Sequence, residues 1–258
     1  MNINAKLSLV GAGPGDPELI TLKAIKTIGK ADVVLYDALV STELLDYAPK
    51  KALKLFVGKR AGKHYYSQAK INELILQYAY SHGHVVRLKG GDPFIFGRGH
   101  EEKDYIETFG IPCEVIPGLS SATSLATLQQ VPLTKRNITQ SFWVTTATNS
   151  AGKLTRDIHY AIKSSATLVV LMGMGKLTEI IDIFTTFGKA NMPIAVINNG
   201  SLKSEKVAVG TIQDIYQSVK VKNLSTPATI IIGEVVRLHP EFLNEIKEKV
   251  YLPFQHSA

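Results

Sequence analysis

Short apolar runs and amphipathic stretches alternate along the first half of the chain. Residues 7–10, 33–36, 53–57, 85–88 and 113–116 are apolar runs bounded by Gly, Pro or charged positions, and each reads as a strand. Between them, apolar residues recur at helical spacing. Leu19, Leu22, Ile25 and Ile28 share one face of a helix with Asp16 as cap, Pro17 as first residue and Gly29 as stop. Ile71, Leu74, Ile75 and Tyr78 form the face of a second helix, opened by Ser67 and closed by Gly83. Residues 101–109, ended by Gly110, and residues 120–129 read as two more helices.

Strands alternating with helices predict a parallel sheet with helices on its faces. Such strands end along one edge, where the ligands of these sheets collect. The first strand is followed by Gly11-Ala-Gly-Pro-Gly15 and the second by Asp37. The third leads into Gly58-Lys59-Arg60 and the fourth into Gly90-Gly91-Asp92-Pro93. The fifth leads into Pro117-Gly118 and then Ser120-Ser121. Five unusual segments on one edge say more than any single motif.

The second half is again α/β but less regular. Residues 142–145, 167–172, 193–198, 206–209 and 229–232 read as strands, and 177–187 and 212–219 as helices. Consecutive strands on either side of Gly200 predict an antiparallel component, hence a mixed sheet. The expected division is an N-terminal α/β domain over residues 1–130 and a C-terminal α/β domain over 131–238. The boundary is the turn-rich stretch around Pro132 and Lys135-Arg136-Asn137. Residues 239–258 read as a peripheral tail, a helix with a frayed end.

Composition narrows the class. The chain has 258 residues, 45% apolar and 20% charged, enough to build a core and too apolar for wholesale disorder. Its one cysteine, Cys113, excludes an internal disulfide framework and any multi-cysteine metal site, and suits a reducing compartment. The longest apolar run, 166–172, is far short of the ~20 residues of a membrane span. The N-terminus lacks the pattern of a secretory signal, so a cytoplasmic location is expected. Twenty-nine Lys and Arg against twenty-two Asp and Glu leave a charge of +7. That balance favours anions, whether nucleic acid, membrane surface or a polyacidic small molecule, and does not choose among them. No zinc-ligand spacing, nucleophile elbow or RNA-binding aromatic signature is present.

The candidate residues leave alternatives open. The loop at 11–15 resembles a nucleotide loop, but Asp16 stands where the dinucleotide fingerprint needs Gly. An acid at that helix start repels phosphate, so the loop either meets an uncharged part of a ligand or is a tight turn alone. Asp37 is either a partly buried base with a raised pKa or a turn residue. Lys59 and Arg60 either hold Asp37 ionised, bind an anionic substrate or are surface charge. Gly90 and Gly91 allow close backbone approach, and Asp92 suits ribose hydroxyls unless the bend merely serves Pro93. Arg98 is an anion clamp or a helix-start residue. Met172, the turn at 198–200 and the strand entry at 226–228 suggest no function unaided.

Together these segments resemble a known family. Val10-Gly-Ala-Gly-Pro-Gly-Asp16, Tyr36-Asp-Ala-Leu-Val40, Val57-Gly-Lys-Arg-Ala-Gly62, the run from Arg87 to Arg98 and Ile116-Pro-Gly118 occur in the order and spacing of the uroporphyrinogen-III C-methyltransferases. The resemblance runs from about Leu7 to Leu238. The first loop and the Gly-Gly-Asp turn are shared by the wider tetrapyrrole methylase superfamily. The Gly-Lys-Arg-Ala-Gly segment and the 87–98 run are more specific. The resemblance implies two α/β domains with the active site in the cleft between them, a homodimer, and no nucleic-acid, membrane or metal partner. It implies S-adenosylmethionine as methyl donor, S-adenosylhomocysteine as its product, and methylation of uroporphyrinogen III at C-2 and C-7 to precorrin-2. That product leads to sirohaem and, in some organisms, cobalamin.

By position in the family, cofactor contacts fall on Pro14, Gly90, Gly91, Asp92, Ile95, Ser120, Ser121, Met172, Gly200 and Ala228. The base falls on Asp37 and its proton-donating partner on Lys59. Arg60, Arg98 and Arg136 are left for the carboxylates of the substrate. A methylase acting on a later corrin or on RNA is the alternative. There are departures. Ser120-Ser121 stands where Thr-Ala is common, His100 replaces a frequent Gly, and Thr145-Thr-Ala-Thr-Asn149 stands where Thr-Gly-His is usual. The last removes a histidine contact and leaves substrate affinity open. Read from Met1, the chain has the arrangement of the stand-alone form.

Overall fold

The computed structural model describes residues 4–58, 66–149 and 151–243. The chain separates into two compact units, the first ending at Ser121 and the second beginning at Ala122.

The first unit runs β1 (Lys6–Gly11), α1 (Leu22–Ile28), β2 (Val33–Tyr36), β3 (Leu53–Phe56), α2 (Gln68–His82), β4 (His84–Lys89), α3 (Gly99–Glu107) and β5 (Cys113–Ile116). Every strand pair in it is parallel, in the order β3-β2-β4-β1-β5. The five apolar runs are these five strands. The three inner ones, β2, β4 and β1, are covered on both faces, which is why their sequences are continuous rather than alternating. One face packs Leu7, Leu9, Val33, Leu35 and Val85 against Ile71, Ile75 and Ile106 of α2 and α3. The other packs Val10, Val34, Val86 and Leu88 against Ala24 and Ile28 of α1 and Leu44 and Leu45 of a 3-10 turn at Thr42–Tyr47.

Helix boundaries follow the caps. Ser67 accepts from the Lys70 amide at 3.2 Å, and Gly83 closes α2, as the sequence predicts. The first helix differs. Asp16 does cap, accepting from the Glu18 amide at 2.9 Å, but it caps a single 3-10 turn, Pro17–Leu19. Thr21 then caps α1 proper, accepting from the Ala24 amide at 3.1 Å. A cap of this kind is worth about 1 kcal/mol. The break rotates the register, so Ala24 and Ile28 are buried while Leu22 is 76% exposed.

The second unit opens within α4 (Ser121–Leu128), one residue after its start, and continues β6 (Phe142–Thr146), α5 (Asp157–Ala161), β7 (Thr167–Leu171), α6 (Leu177–Thr186), β8 (Pro193–Asn198), β9 (Lys206–Thr211), α7 (Ile215–Val221) and β10 (Ala228–Ile232). Its sheet has the order β6-β7-β10-β8-β9. Only β6 and β7 are parallel; the other neighbours are antiparallel, so the sheet is mixed as expected. Leu125 and Ala126 of α4 pack with Ala195, Ile197 and Ile231 on one face. Ile158, Ile180, Phe184, Ile215 and Val219 of α5, α6 and α7 cover the other. The division read from Pro132 falls after α4, whereas α4 packs with the second sheet.

The last helix begins at Ile215 rather than at residue 212. The Asp214 carboxylate accepts both the Thr211 amide and its hydroxyl at 2.7 Å, holding that segment as a turn. Residues 240–243 are helical, and the rest of the expected tail lies outside the described residues.

Candidate active site

Because every strand of the first sheet runs the same way, the loops after β1, β2, β4 and β5 meet at one edge. Gly13 and Gly91 are joined by a two-way backbone bridge. The Gly91 amide donates to the Gly13 carbonyl at 2.7 Å, and the Gly13 amide to the Gly91 carbonyl at 3.3 Å. Gly11 lies against the loop after β5: a Cβ there would stand 2.5 Å from the Gly118 nitrogen and 2.7 Å from the Gly91 oxygen. Asp92 locks the assembly. One carboxylate oxygen accepts the Phe94 amide at 2.8 Å and the other the Gly118 amide at 3.1 Å. Gly91 itself has φ +69°, and a Cβ on it would meet no atom of the described residues within 4 Å. A glycine with a left-handed backbone and open space before it is a surface a ligand can approach closely.

Asp37 follows β2 on the same edge, its side chain 24% exposed. One oxygen accepts the Leu39 amide at 3.1 Å, so the turn role is real. The other faces Arg87 Nη2 at 3.8 Å. Arg87 and Lys89, two apart on β4, share the face that carries α2 and α3. Both are buried, as is Glu102 of α3. Glu102 Oε1 accepts Lys89 Nζ at 2.9 Å, Gln68 Nε2 at 3.1 Å and Arg87 Nε at 3.3 Å. Arg87 Nη1 also donates to the Leu88 carbonyl at 3.0 Å and the Leu35 carbonyl at 3.4 Å. Burial, and then the neighbouring guanidinium, push the Lys89 ammonium below the ordinary lysine range, with Glu102 opposing both. The candidate residues read from sequence do not include this cluster. Its signal was there: two cations in a strand with both faces covered cannot stay unpaired.

The other first-unit candidates fall around the same loops. Pro14 is half-buried, Ser120 buried and Ser121 half-buried. Ile95 sits exposed between Phe94 and Phe96, and Leu39 and Leu119 are exposed on neighbouring loops. Large apolar side chains gathered on the loops of one sheet edge mark a binding surface rather than stray exposure. Arg98 stands at the start of α3 with φ 58° and pairs with Glu101, Nη2 to Oε2 at 2.6 Å. Lys59 and Arg60 lie outside the described residues.

In the second unit, Met172, Gly200 and Ala228 come to one edge of the mixed sheet. Met172 follows β7, Gly200 follows β8, and Ala228 opens the antiparallel β10, whose register pairs it with Asn198. Met172 is 62% exposed with φ 54°, so it is no core methionine. A Cβ on Gly200 would collide with the Leu125 side chain. The turn expected at 198–200 starts one residue later. Asn198 is the buried end of β8, and its amide donates to the Ser225 carbonyl at 2.8 Å and the Pro227 carbonyl at 2.9 Å. Arg136 is not part of this edge. It is exposed in the turn that precedes β6, by the end where β6 and β7 begin. Among the described residues no three His, Cys, Asp or Glu side chains form a group that could hold a metal ion. None of the described helices is long and apolar enough to cross a membrane.

Residues 6–216 match the family described as Tetrapyrrole (Corrin/Porphyrin) Methylases. The chain belongs to the tetrapyrrole methylases. It is 42% identical over 238 residues to the uroporphyrinogen-III C-methyltransferase of Methanocaldococcus jannaschii, covering 92% of this chain and 98% of that protein. It is 41% identical to the siroheme synthase of Psychrobacter arcticus, spanning 44% of that longer protein. The crystal structure of uroporphyrin III C-methyl transferase from Thermus thermophilus, also solved with S-adenosyl homocysteine, superposes with a TM-score of 0.76 at 37% identity. It covers 90% of this chain and 99% of that one. A cobalt precorrin-4 methyltransferase reaches a TM-score of 0.81 at 26% identity, over 90% of this chain and 96% of its own. As a tetrapyrrole methylase, the chain has its Gly-rich loop, Gly-Gly-Asp turn and Asp37 on one sheet edge of the first unit.

Proposed function

We propose that this chain transfers methyl groups from S-adenosylmethionine to C-2 and C-7 of uroporphyrinogen III, forming precorrin-2. The observation that carries the reading is the end-to-end match to the Methanocaldococcus methyltransferase. The loops fit the cofactor. S-adenosylmethionine has no phosphate, and the first loop offers bare backbone with Asp16 beside it instead of a phosphate cradle. Gly91 leaves space where any side chain would intrude. Pro14, Gly90, Gly91, Asp92, Ile95, Ser120 and Ser121 of the first unit would hold it, with Met172, Gly200 and Ala228 of the second. Asp92 would act mainly by keeping its loop in place.

When bound, the cofactor supplies an electrophilic methyl group on a sulfonium. The protein's part is placement and proton transfer. Asp37 accepts the proton that the macrocycle must lose once its ring carbon, which carries no hydrogen, has been methylated, and Lys59 serves as its proton-donating partner. The apolar collar of Leu39, Phe94, Ile95 and Phe96 suits the face of a macrocycle. Arg60 and Arg98 suit its carboxylates, with Arg98 exchanging Glu101 for substrate. The place of Arg136 weakens its share in that role. A homodimer in the cytoplasm, without resident metal, and with product passing to sirohaem and in some organisms cobalamin, completes the reading.

The higher TM-score with the cobalt precorrin-4 enzyme favours a second reading, a later corrin as acceptor. One experiment separates the two: anaerobic incubation with uroporphyrinogen III and S-adenosylmethionine, oxidation, and mass spectrometry. A gain of two methyl groups is expected. No gain, with S-adenosylhomocysteine still bound, rejects uroporphyrinogen III and leaves the corrin.

A further inference from the structure

The mechanism above gives no work to Glu102, yet this carboxylate is wholly buried. Three donors from two elements converge on its Oε1: Arg87 and Lys89 of β4, and Gln68 of α2. Its Oε2 has no hydrogen-bond partner among the described residues. A cluster that served stability alone would be no better than apolar packing of the same volume, because removing charges from water costs what their attraction returns. What the cluster does provide is a fixed guanidinium. Arg87 Nε is held by Glu102 and Nη1 by the Leu35 and Leu88 carbonyls. The remaining nitrogen, Nη2, stands 3.8 Å from the Asp37 carboxylate.

We propose that Glu102 is a positioning residue for methyl transfer: by anchoring Arg87 it sets the orientation of the Asp37 carboxylate. The proposal rests on Asp37 being the base. Among the described residues, the Glu102 carboxylate is linked to Asp37 through the Arg87 guanidinium, which it holds at 3.3 Å and which faces Asp37 at 3.8 Å. Lys89 is the second cation on Oε1, at 2.9 Å. The Asp37 turn, held by the Leu39 amide, supplies the other fixed point of the carboxylate.

The test is a double-mutant cycle between Glu102→Gln and Asp37→Asn in the full chain. It is read by single-turnover and steady-state methylation, by S-adenosylhomocysteine affinity from calorimetry, and by thermal unfolding. Displacing a reacting group by about 1 Å costs on the order of a hundredfold in rate. Glu102→Gln is therefore expected to lower kcat by roughly 10- to 100-fold, while KM and S-adenosylhomocysteine affinity stay close to those of the parent. In the Asp37→Asn background the same substitution is expected to lower kcat no further, since the group it positions is gone. Multiplicative losses, or an unchanged kcat in Glu102→Gln while Asp37→Asn is slow, overturn the positioning role and leave the base in place. Asp37→Asn with parental turnover removes the base itself. Should Glu102→Gln not fold, Glu102→Asp keeps the charge but retracts it. A folded Glu102→Asp with reduced kcat and parental cofactor affinity supports the proposal, and an unchanged kcat overturns it.

Discussion

The two units differ in what they bury. The first hides full charges: Arg87, Lys89 and Glu102 lie under α2 and α3, with Asp37 at their rim. The second hides neutral groups: the Asn198 amide, the hydroxyls of Thr139, Thr145, Thr167 and Thr229, and His239. Their sheets differ in the same sense. The parallel first sheet sends all its carboxyl ends, and the loops that follow, to one edge. The mixed second sheet brings two strand ends and one strand start together, and holds them by an amide on backbone carbonyls. On the proposed reading, acid–base chemistry belongs to the first unit, while the second supplies shape.

The sharpest way to break this contrast is Asp37→Asn. Turnover is expected to fall by roughly 10²- to 10⁴-fold, the usual worth of a placed base, with S-adenosylhomocysteine affinity unchanged. Turnover equal to the parent would move the base elsewhere. Next in size is Gly91→Val. Its side chain enters the open space before Gly91 and adds the strain of a left-handed backbone, about 1–2 kcal/mol. Calorimetry with S-adenosylhomocysteine is expected to show little or no binding, and parental affinity would remove Gly91 from the cofactor site.

Asn198→Ala probes the second unit. It removes the side-chain donor from the Ser225 carbonyl and one of two donors from the Pro227 carbonyl, which keeps the Asn199 amide, so chemical denaturation should show a loss of about 1–3 kcal/mol. If shape is all that edge supplies, kcat per folded molecule changes less than KM. The smallest effect concerns acid. The Lys30 carbonyl accepts from His84 Nδ1 at 2.9 Å, so that nitrogen carries the proton and Nε2 accepts from the Ser8 hydroxyl at 2.9 Å. Burial keeps this imidazole neutral and lowers its pKa below 6.5. Below that pH the unfolded chain takes up a proton that the folded chain refuses, so stability falls as pH drops. The denaturation midpoint should fall between pH 7.5 and 5.5, and the fall should shrink in His84→Gln. His239 has the same direction of shift, also from burial, and His239→Gln should relieve a smaller share of it. Equal pH slopes in parent and His84→Gln would reject the assignment.

Much of this fold was legible in the chain itself. All ten strands among the described residues coincide with apolar runs, and the inner ones read as continuous because a strand covered on both faces needs side chains that stay out of water along its whole length. Ser67 and Gly83 mark α2 because capping is a matter of two or three residues. The legible features of the site are equally local: the glycines at 11, 13, 90 and 91 and the acid after β2. α1 was misjudged for the opposite reason. Its apolar spacing from Leu19 to Ile28 is sound, but both Asp16 and Thr21 cap, the first a single 3-10 turn and the second α1 itself, and the break between them turns Leu22 outward.

By itself, then, the sequence determined where the strands lie, which loops share an edge, and the family to which those loops belong. Tertiary structure decided the rest. It placed β4 between β2 and β1, which puts Arg87 beside Leu35 and within reach of Asp37. It brought Glu102, fifteen residues further on, back over the same face to meet Arg87 and Lys89. It turned Asp92 toward the amide of Gly118, and Asn198 toward the carbonyls that open β10. Periodicity and capping act over a few residues and can be read in order. A buried ion pair depends on which elements become neighbours, and that is settled only when the whole core packs.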